Sequence, residues 1–312
     1  MVTEERFLVT GTAGALGAWT VKHLIAEGVD TVAFGPMGDD RRLRLVNDPR
    51  RLREVERVDS AAADEMRLKA AMSGVTHIVH TTTALTQREE ESGGPTEDDA
   101  PLRSLDLLLR HAGESGVQGF AYESSMAVFP ASPTPVGTDA TPDPQSPLGF
   151  FHRAVEGRAE SWGRERDFFS VGVRANLVYG PGQSSGPTSA PTRAIAATIQ
   201  NEPFELPHRG IADFQYVSDV ALALIHAARM SARTQSVVNL CGSTSTMASF
   251  VQTVSAASGS TSLVLGETDY PVPVAAPGSS EGPVLASRLP TSLDSGVRAT
   301  LEHLRWAPRD LY

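Results

Sequence analysis

Three glycines carry the first chemical signal in this chain. Gly11, Gly14 and Gly17 recur at three-residue intervals in Thr10-Gly-Thr-Ala-Gly-Ala-Leu-Gly17, directly after the apolar run Phe7-Leu-Val9. Glycine at Gly11 permits a tight turn, at Gly14 it lets the backbone approach a pyrophosphate, and at Gly17 it lets the following helix pack against the strand. The unpaired N–H groups at the start of that helix attract an anion. The loop of Gly11, Thr12, Ala13, Gly14, Ala15, Leu16 and Gly17 is therefore the primary cofactor-binding candidate, and it suits a dinucleotide.

The residues beyond it bear on which dinucleotide. The second strand, Thr31 to Phe34, ends at Gly35-Pro36 with no carboxylate for the ribose hydroxyls, and Arg41, Arg42 and Arg44 follow. Guanidinium groups there suit a 2'-phosphate, so NADP+/NADPH is the expected cofactor, contacted by Gly35, Arg41 and Arg42. The alternative is that these arginines cover the surface, paired with Asp39, Asp40 or Asp48. Ligands of a parallel sheet lie at the carboxyl ends of its strands. Asp59, closing the third strand, and Thr81, Thr82 and Thr83, after the fourth, are accordingly expected beside the adenine and ribose.

Positioning these residues takes alternating strands and helices. Leu16, Val21, Leu24 and Ile25 mark the buried face of a helix over Ala18 to Glu27, closed by Gly28. Strands follow near Glu54 to Val58, Val75 to His80, Gly119 to Glu123 and Phe168 to Arg174, with helices over Asp64 to Met72, Leu102 to Ala112 and Phe150 to Arg166 between them. This is the pattern of an α/β, Rossmann-type doubly wound parallel sheet. Thr86 to Pro101 reads as a mobile acidic loop and Pro130 to Pro147 as an irregular connection. After Gly182 the alternation breaks down. A helix near Thr192 to Gln200, the segment Phe214 to Val217, a helix over Asp219 to Ala228, a strand at Val237 to Leu240 and a helix near Asp294 to His303 remain. The division expected is a nucleotide-binding domain of residues 1–177 plus about 211–242, with a smaller interleaved substrate lobe of about 178–210 and 243–312.

Composition bounds the class. A chain of 312 residues accommodates a nucleotide domain and a lobe. A net charge of -10 and a pI near 5.3 speak against a nucleic-acid or anionic-membrane partner, because phosphate surfaces demand basic protein. The lone Cys241 excludes an intrachain disulfide, and no signal-peptide region or stretch of ~18 apolar residues is present, so a cytoplasmic enzyme is expected. The histidines show no metal-ligand spacing, and no Gly-x-Ser-x-Gly elbow occurs. Lys22 and Lys69 are the chain's two lysines, which excludes a catalytic amine further along.

These motifs resemble the extended short-chain dehydrogenase/reductase family, of the nucleotide-sugar epimerase and dehydratase type, over nearly the whole chain. The glycine turn is similar to the family's Thr-Gly-x-x-Gly-x-x-Gly, and His80-Thr-Thr-Thr-Ala84 to its His-x-Ala-Ala segment. Tyr122-Glu-Ser-Ser-Met-Ala-Val-Phe129 resembles its Ser-Ser-x-x-x-Tyr strand end, and Arg174-Ala-Asn-Leu-Val-Tyr-Gly-Pro-Gly182 the Arg-Pro-x-x-Val-Tyr-Gly-Pro turn beside the nicotinamide. Phe214-Gln-Tyr-Val-Ser-Asp-Val220 is similar to Phe-x-x-Val-x-Asp-Val. The resemblance implies that Ser124, Asn176 and Val178 border the cofactor and that Ser125 is the family's hydroxyl-bearing serine.

The departure from the family is equally informative. Its Tyr-x-x-x-Lys belongs after Pro147, where Leu148 stands in the tyrosine's place and His152 in the lysine's. No tyrosine lies between Tyr122 and Tyr179, so the phenol that moves the proton and the ammonium that lowers its pKa are both missing. Ser125 is left as an auxiliary group orienting a carbonyl. His152 is either a proton carrier or a residue on the exposed shoulder of its helix. The apolar residues around the lost dyad, Met126, Phe129, Leu148, Phe150 and Phe151, together with Tyr179, suit a flat aromatic substrate. In this narrower sense the chain resembles the triad-lacking reductases of actinomycete antibiotic pathways. That implies an NADPH-dependent ketoreductase for a polycyclic aromatic, angucyclinone-like polyketide, with the proton supplied by a substrate hydroxyl or solvent. A catalytically inactive NADP-binding sensor and a sugar-nucleotide epimerase or dehydratase stand beside it, the last lacking its base here.

Overall fold

In the computed structural model, which describes residues 5–36, 38–60, 64–81, 100–166, 168, 170–230, 236–278 and 290–307, the first strand, β1 (Arg6–Thr10), is central and buried. Its side chains divide with period two. Phe7 and Val9 enter the core on one face of the sheet and Leu8 the core on the other, none of them exposed. The chain continues through α1 (Ala15–Glu27), β2 (Asp30–Gly35), α2 (Arg41–Val46), β3 (Glu56–Asp59), α3 (Glu65–Ala71), β4 (His77–His80), α4 (Ala100–Glu114), β5 (Gly119–Ser125), α5 (Pro147–Arg166) and β6 (Val171–Ala175). Then come β7 (Leu177–Tyr179), α6 (Ala190–Gln200), β8 (Phe204–Arg209), β9 (Ile211–Tyr216), α7 (Val217–Arg229), β10 (Ser236–Asn239), β11 (Ser243–Thr246), α8 (Met247–Ser258), β12 (Leu263–Asp269) and α9 (Leu293–Trp306).

Seven strands form one parallel sheet in the order β10-β6-β5-β4-β1-β2-β3, the doubly wound Rossmann-type arrangement expected from the alternation. Helices α1, α2 and α7 cover one face, and α3, α4 and α5 the other. The strand order reverses between β1 and β4, so the crevice outside their carboxyl ends is where this topology admits a ligand. No described helix is long and apolar enough to cross a membrane.

A third core unites β7, α6, β8, β9, α8 and α9. There Phe214 and Phe250 stack with ring centroids 5.1 Å apart, beside Tyr179. Strand β9 pairs with β7 and β11, and β8 pairs with β12. The sequence pattern contained no counterpart to α2, α8, β8, β11 or β12. Helix α8 is capped by Thr246, whose hydroxyl accepts from the Ser249 N–H, but its Ser, Thr and Ala content blunts the apolar period. Residues 130–146 are irregular, as expected, while most of the expected acidic loop and both Thr82 and Thr83 lie outside the described residues.

Candidate functional site

Helix α1 starts at Ala15, three residues earlier than its apolar face suggests, so its first turn rises directly from the glycine loop. Gly14 is the N-cap; no side chain caps this end and no acidic residue occupies its first turn, which leaves the N–H groups and the positive end of the dipole open to an anion. Gly11 sits at φ 69°, and a Cβ there would lie 2.1 Å from the Thr81 carbonyl oxygen. A Cβ on Gly17 would lie 2.5 Å from the Gly11 oxygen. Both positions therefore require glycine on steric grounds. Thr81 ties the loop to β4 by donating to the Thr10 carbonyl at 2.8 Å, and Thr12 Oγ1 is buried without a partner.

A cleft of about 280 Å³ opens beside this loop. Ala13 to Leu16, Asp39, Arg42, Glu123, Ser124, Ser125, Leu148, Phe151, His152, Ala175, Asn176, Val178 and residues of the 183–188 segment line it. Gly35 and Asp59 face each other across the β2–β3 register and do not line the cleft.

The arginines are engaged with the protein itself. Arg41 grips Asp39 at 2.7 Å, which pulls that carboxyl down to about 2, and Arg44 pairs with Asp40 at 2.9 Å. Arg42 donates from Nε to the Gly182 carbonyl at 2.8 Å, from Nη1 to the Ala13 carbonyl at 3.0 Å and from Nη2 to Ser185 Oγ at 2.8 Å. Arg41 and Arg44 thus pair as the alternative reading of the sequence had it, with Asp39 and Asp40, and the carboxylate of Asp39 shares the cleft with Arg42.

On the opposite wall stand the last two residues of β5, Ser124 and Ser125, at the carboxyl end of the sheet. Ser124 donates to Glu156 Oε1 at 2.6 Å, and Glu156 holds Arg174 in a buried two-pronged pair at 2.7 and 2.9 Å. Ser125 Oγ accepts the Ala127 N–H at 3.1 Å, which leaves its own proton to donate. Leu148 and His152, one turn apart on α5, both reach the cleft. His152 is not on an exposed shoulder: it is 4% exposed, and burial pushes its imidazole down to about 4. Its ring is bonded to the Glu123 backbone, and Nδ1 has no partner. Asn176 is pinned by the Gln215 side chain and the Pro273 carbonyl, with Oδ1 unpartnered.

The flat aromatic pocket is not assembled. Met126 and Phe129 pack into a small core with Ala275, Tyr179 lies within the third core, and Phe150 points away with 55% of its surface exposed. Neighbouring helical positions differ by about 100°, so Phe150 and Phe151 cannot face one cleft, and only Leu148 and Phe151 of that set line it. Sequence reasoning missed Glu123, Glu156 and the 183–188 wall, and named Asp39 only as a partner for the arginines. For Glu156 the available signal was its spacing, one helical turn beyond His152.

Residues 7–241 match the NAD dependent epimerase/dehydratase family. Among solved structures, the UDP-glucose 4-epimerase of Thermus thermophilus in complex with NAD is similar at 22% identity, covering 97% of this chain and 100% of that one with a TM-score of 0.80. The UDP-N-acetylglucosamine 4-epimerase of Methanobrevibacter ruminantium reaches 0.81 at 19% identity, over 97% and 98% of the two chains. The UDP-glucuronic acid 4-epimerase of Bacillus cereus reaches 0.77 at 20% identity, over 98% and 100%. At these identities the likeness establishes the fold. No curated protein matches the sequence. The family match overturns the expected aromatic-ketone reductase, and the packing of Met126, Phe129 and Phe150 supplies the physical reason.

Proposed function

The chain belongs to the NAD dependent epimerase/dehydratase family, and from that premise we propose that it holds a nicotinamide dinucleotide in the cleft and acts on a nucleotide sugar as an NAD-dependent oxidoreductase. The observation that carries this reading is the span of the match, since residues 7–241 include the glycine loop, Ser124, Ser125, Asn176 and both dyad positions. The uncapped start of α1 fits a pyrophosphate, which Gly11 to Gly17 would hold, with Asn176 and Val178 toward the nicotinamide. When bound, the nicotinamide supplies a site that takes and returns hydride.

The chain's own groups then have limited tasks. Ser125 can donate its proton to a sugar oxygen, its lone pair being engaged by Ala127. His152, neutral through the physiological range, offers Nδ1 as a proton acceptor, though at about 4 it is a weak base. The test is incubation with NAD and UDP-glucose, UDP-glucuronic acid or UDP-N-acetylglucosamine, followed by NMR for an epimerised or dehydrated sugar. Slow conversion of one of them is expected. If NAD binds and none of a broad panel of nucleotide sugars turns over or binds, the enzyme reading is lost. A binding-only sensor, which Leu148 and His152 at the dyad positions favour, then takes its place.

The cofactor we infer is the unphosphorylated form. A 2'-phosphate would have to displace Asp39 from Arg41 and face the released carboxylate, whereas ribose hydroxyls can donate to it. NADH is expected to bind roughly 10-fold more tightly than NADPH, about 1.4 kcal/mol, and Asp39→Ser to narrow that gap. Tighter binding of NADPH in the same titration would return the arginines to a phosphate-binding role.

A further inference from the structure

Arg42 is a half-buried cation whose three bonded partners are all neutral: two carbonyl oxygens and a hydroxyl. Among the described residues it takes part in no ion pair, and Asp39, the carboxylate that acts on it through space, is already bonded to Arg41. A guanidinium taken partly out of water with no counter-charge is costly unless an anion arrives. It shares the cleft wall with Ala13 and Gly14, where α1 presents its uncapped N–H groups. Two independent features thus place unmatched positive charge at one spot, and the anion class they fit is a pyrophosphate.

The partners of Arg42 also lie on two different bodies. Ala13 belongs to the glycine loop, whereas Gly182 and Ser185 belong to the segment after β7, which bends at Gly180, Gly182 and Gly186 with φ of 131°, 92° and 80°. That segment contributes Gln183, Ser185, Pro187 and Thr188 to the cleft wall. It is also fastened to α1, where the Trp19 indole donates to the Pro181 carbonyl at 2.9 Å. Arg42 bonds both the segment and the glycine loop.

We propose that Arg42 is a positioning residue that latches the 180–189 segment to the glycine loop and, by meeting the pyrophosphate with its unpaired charge, sets how slowly the dinucleotide leaves. This rests on the cofactor reading above. The test combines hydrogen exchange of the 183–188 amides in the protein without cofactor and stopped-flow release of NADH, followed by its fluorescence. Arg42→Ala is expected to speed exchange of that segment at least ~10-fold and NADH release roughly 10- to 100-fold. Arg42→Lys, which keeps the charge but not the fork, should recover part of the slow release and little of the exchange protection. Should Arg42→Ala fold poorly, Ser185→Ala removes one latch contact without touching the charge, and exchange should then change more than release. Unchanged exchange in Arg42→Ala, or exchange that changes while release stays at the parent rate, overturns the latch. Failure of NADH to bind the parent protein overturns the gating claim together with the proposed function, and so is distinguishable from failure of the latch alone.

Discussion

Unfolding free energy is expected to fall by several kcal/mol as the pH drops from 6.5 to 4, with two buried imidazoles as the main cause. His80 and His152 are both pushed down to about 4 by burial, His80 with Nδ1 held by Thr10 Oγ1 at 2.7 Å and Nε2 unpartnered. In the unfolded chain each returns to its ordinary value near 6.5. Below 6.5 the unfolded state therefore binds protons that the folded state refuses until about 4, so stability is fully present above 6.5 and is lost through that window. The shift of each ring amounts to ~3 kcal/mol, ~6 for the two. Asp213 acts in the opposite sense, its carboxyl raised by burial, and offsets part of the loss. Urea denaturation at a series of pH values checks this, with His80→Asn and His152→Gln each expected to flatten the curve by about half. A parent curve level between 6.5 and 4.5 would mean that neither ring is held neutral by the fold.

The nucleotide half of the fold was legible because its signals are local. Phe7-Leu-Val9 followed by glycines at fixed spacing specifies a buried strand, a turn at positive φ and a helix packed too closely for a Cβ, and each of those demands is visible at Gly11 and Gly17. The lobe was harder to read because its strands pair across long separations. Strand β8 meets β12 some sixty residues on, and neither shows an apolar period that marks it alone.

The site divides the same way. That Leu148 and His152 share a wall follows from a spacing of four on a helix, and both reach the cleft. Which charge Arg41 would choose was not legible, because Asp39 two residues away and a ligand phosphate satisfy a guanidinium equally well until geometry is known. His152 illustrates the same limit. A polar residue in the first turns of a helix reads as exposed, yet its ring is packed edge-on to Phe151 at 5.3 Å and buried.

Rebuilding the missing dyad should raise turnover more than any other change. In the variant Leu148→Tyr/His152→Lys the two side chains would stand at the spacing of the family's Tyr-x-x-x-Lys, on a wall both parent residues already line. Leu148 is half-buried, so a phenol has a route into the cleft, while the lysine would enter a buried position with Glu156 one turn away to favour its charge. The physical gain is basicity. Under the proposed function the parent would have at these positions only a neutral imidazole near 4, about three units below neutral pH, whereas a phenol whose pKa is lowered by an ammonium is matched to removing a hydroxyl proton. A well-placed general acid–base is worth about 10²–10⁴-fold, ~3 to 5 kcal/mol of barrier. With NAD bound to both proteins, conversion of the best nucleotide sugar should rise by that factor in kcat, with KM little changed. The single variants should show far less, because either group alone lacks its partner. A double variant that binds cofactor and sugar as the parent does, yet turns over no faster, would show that proton transfer does not limit this site.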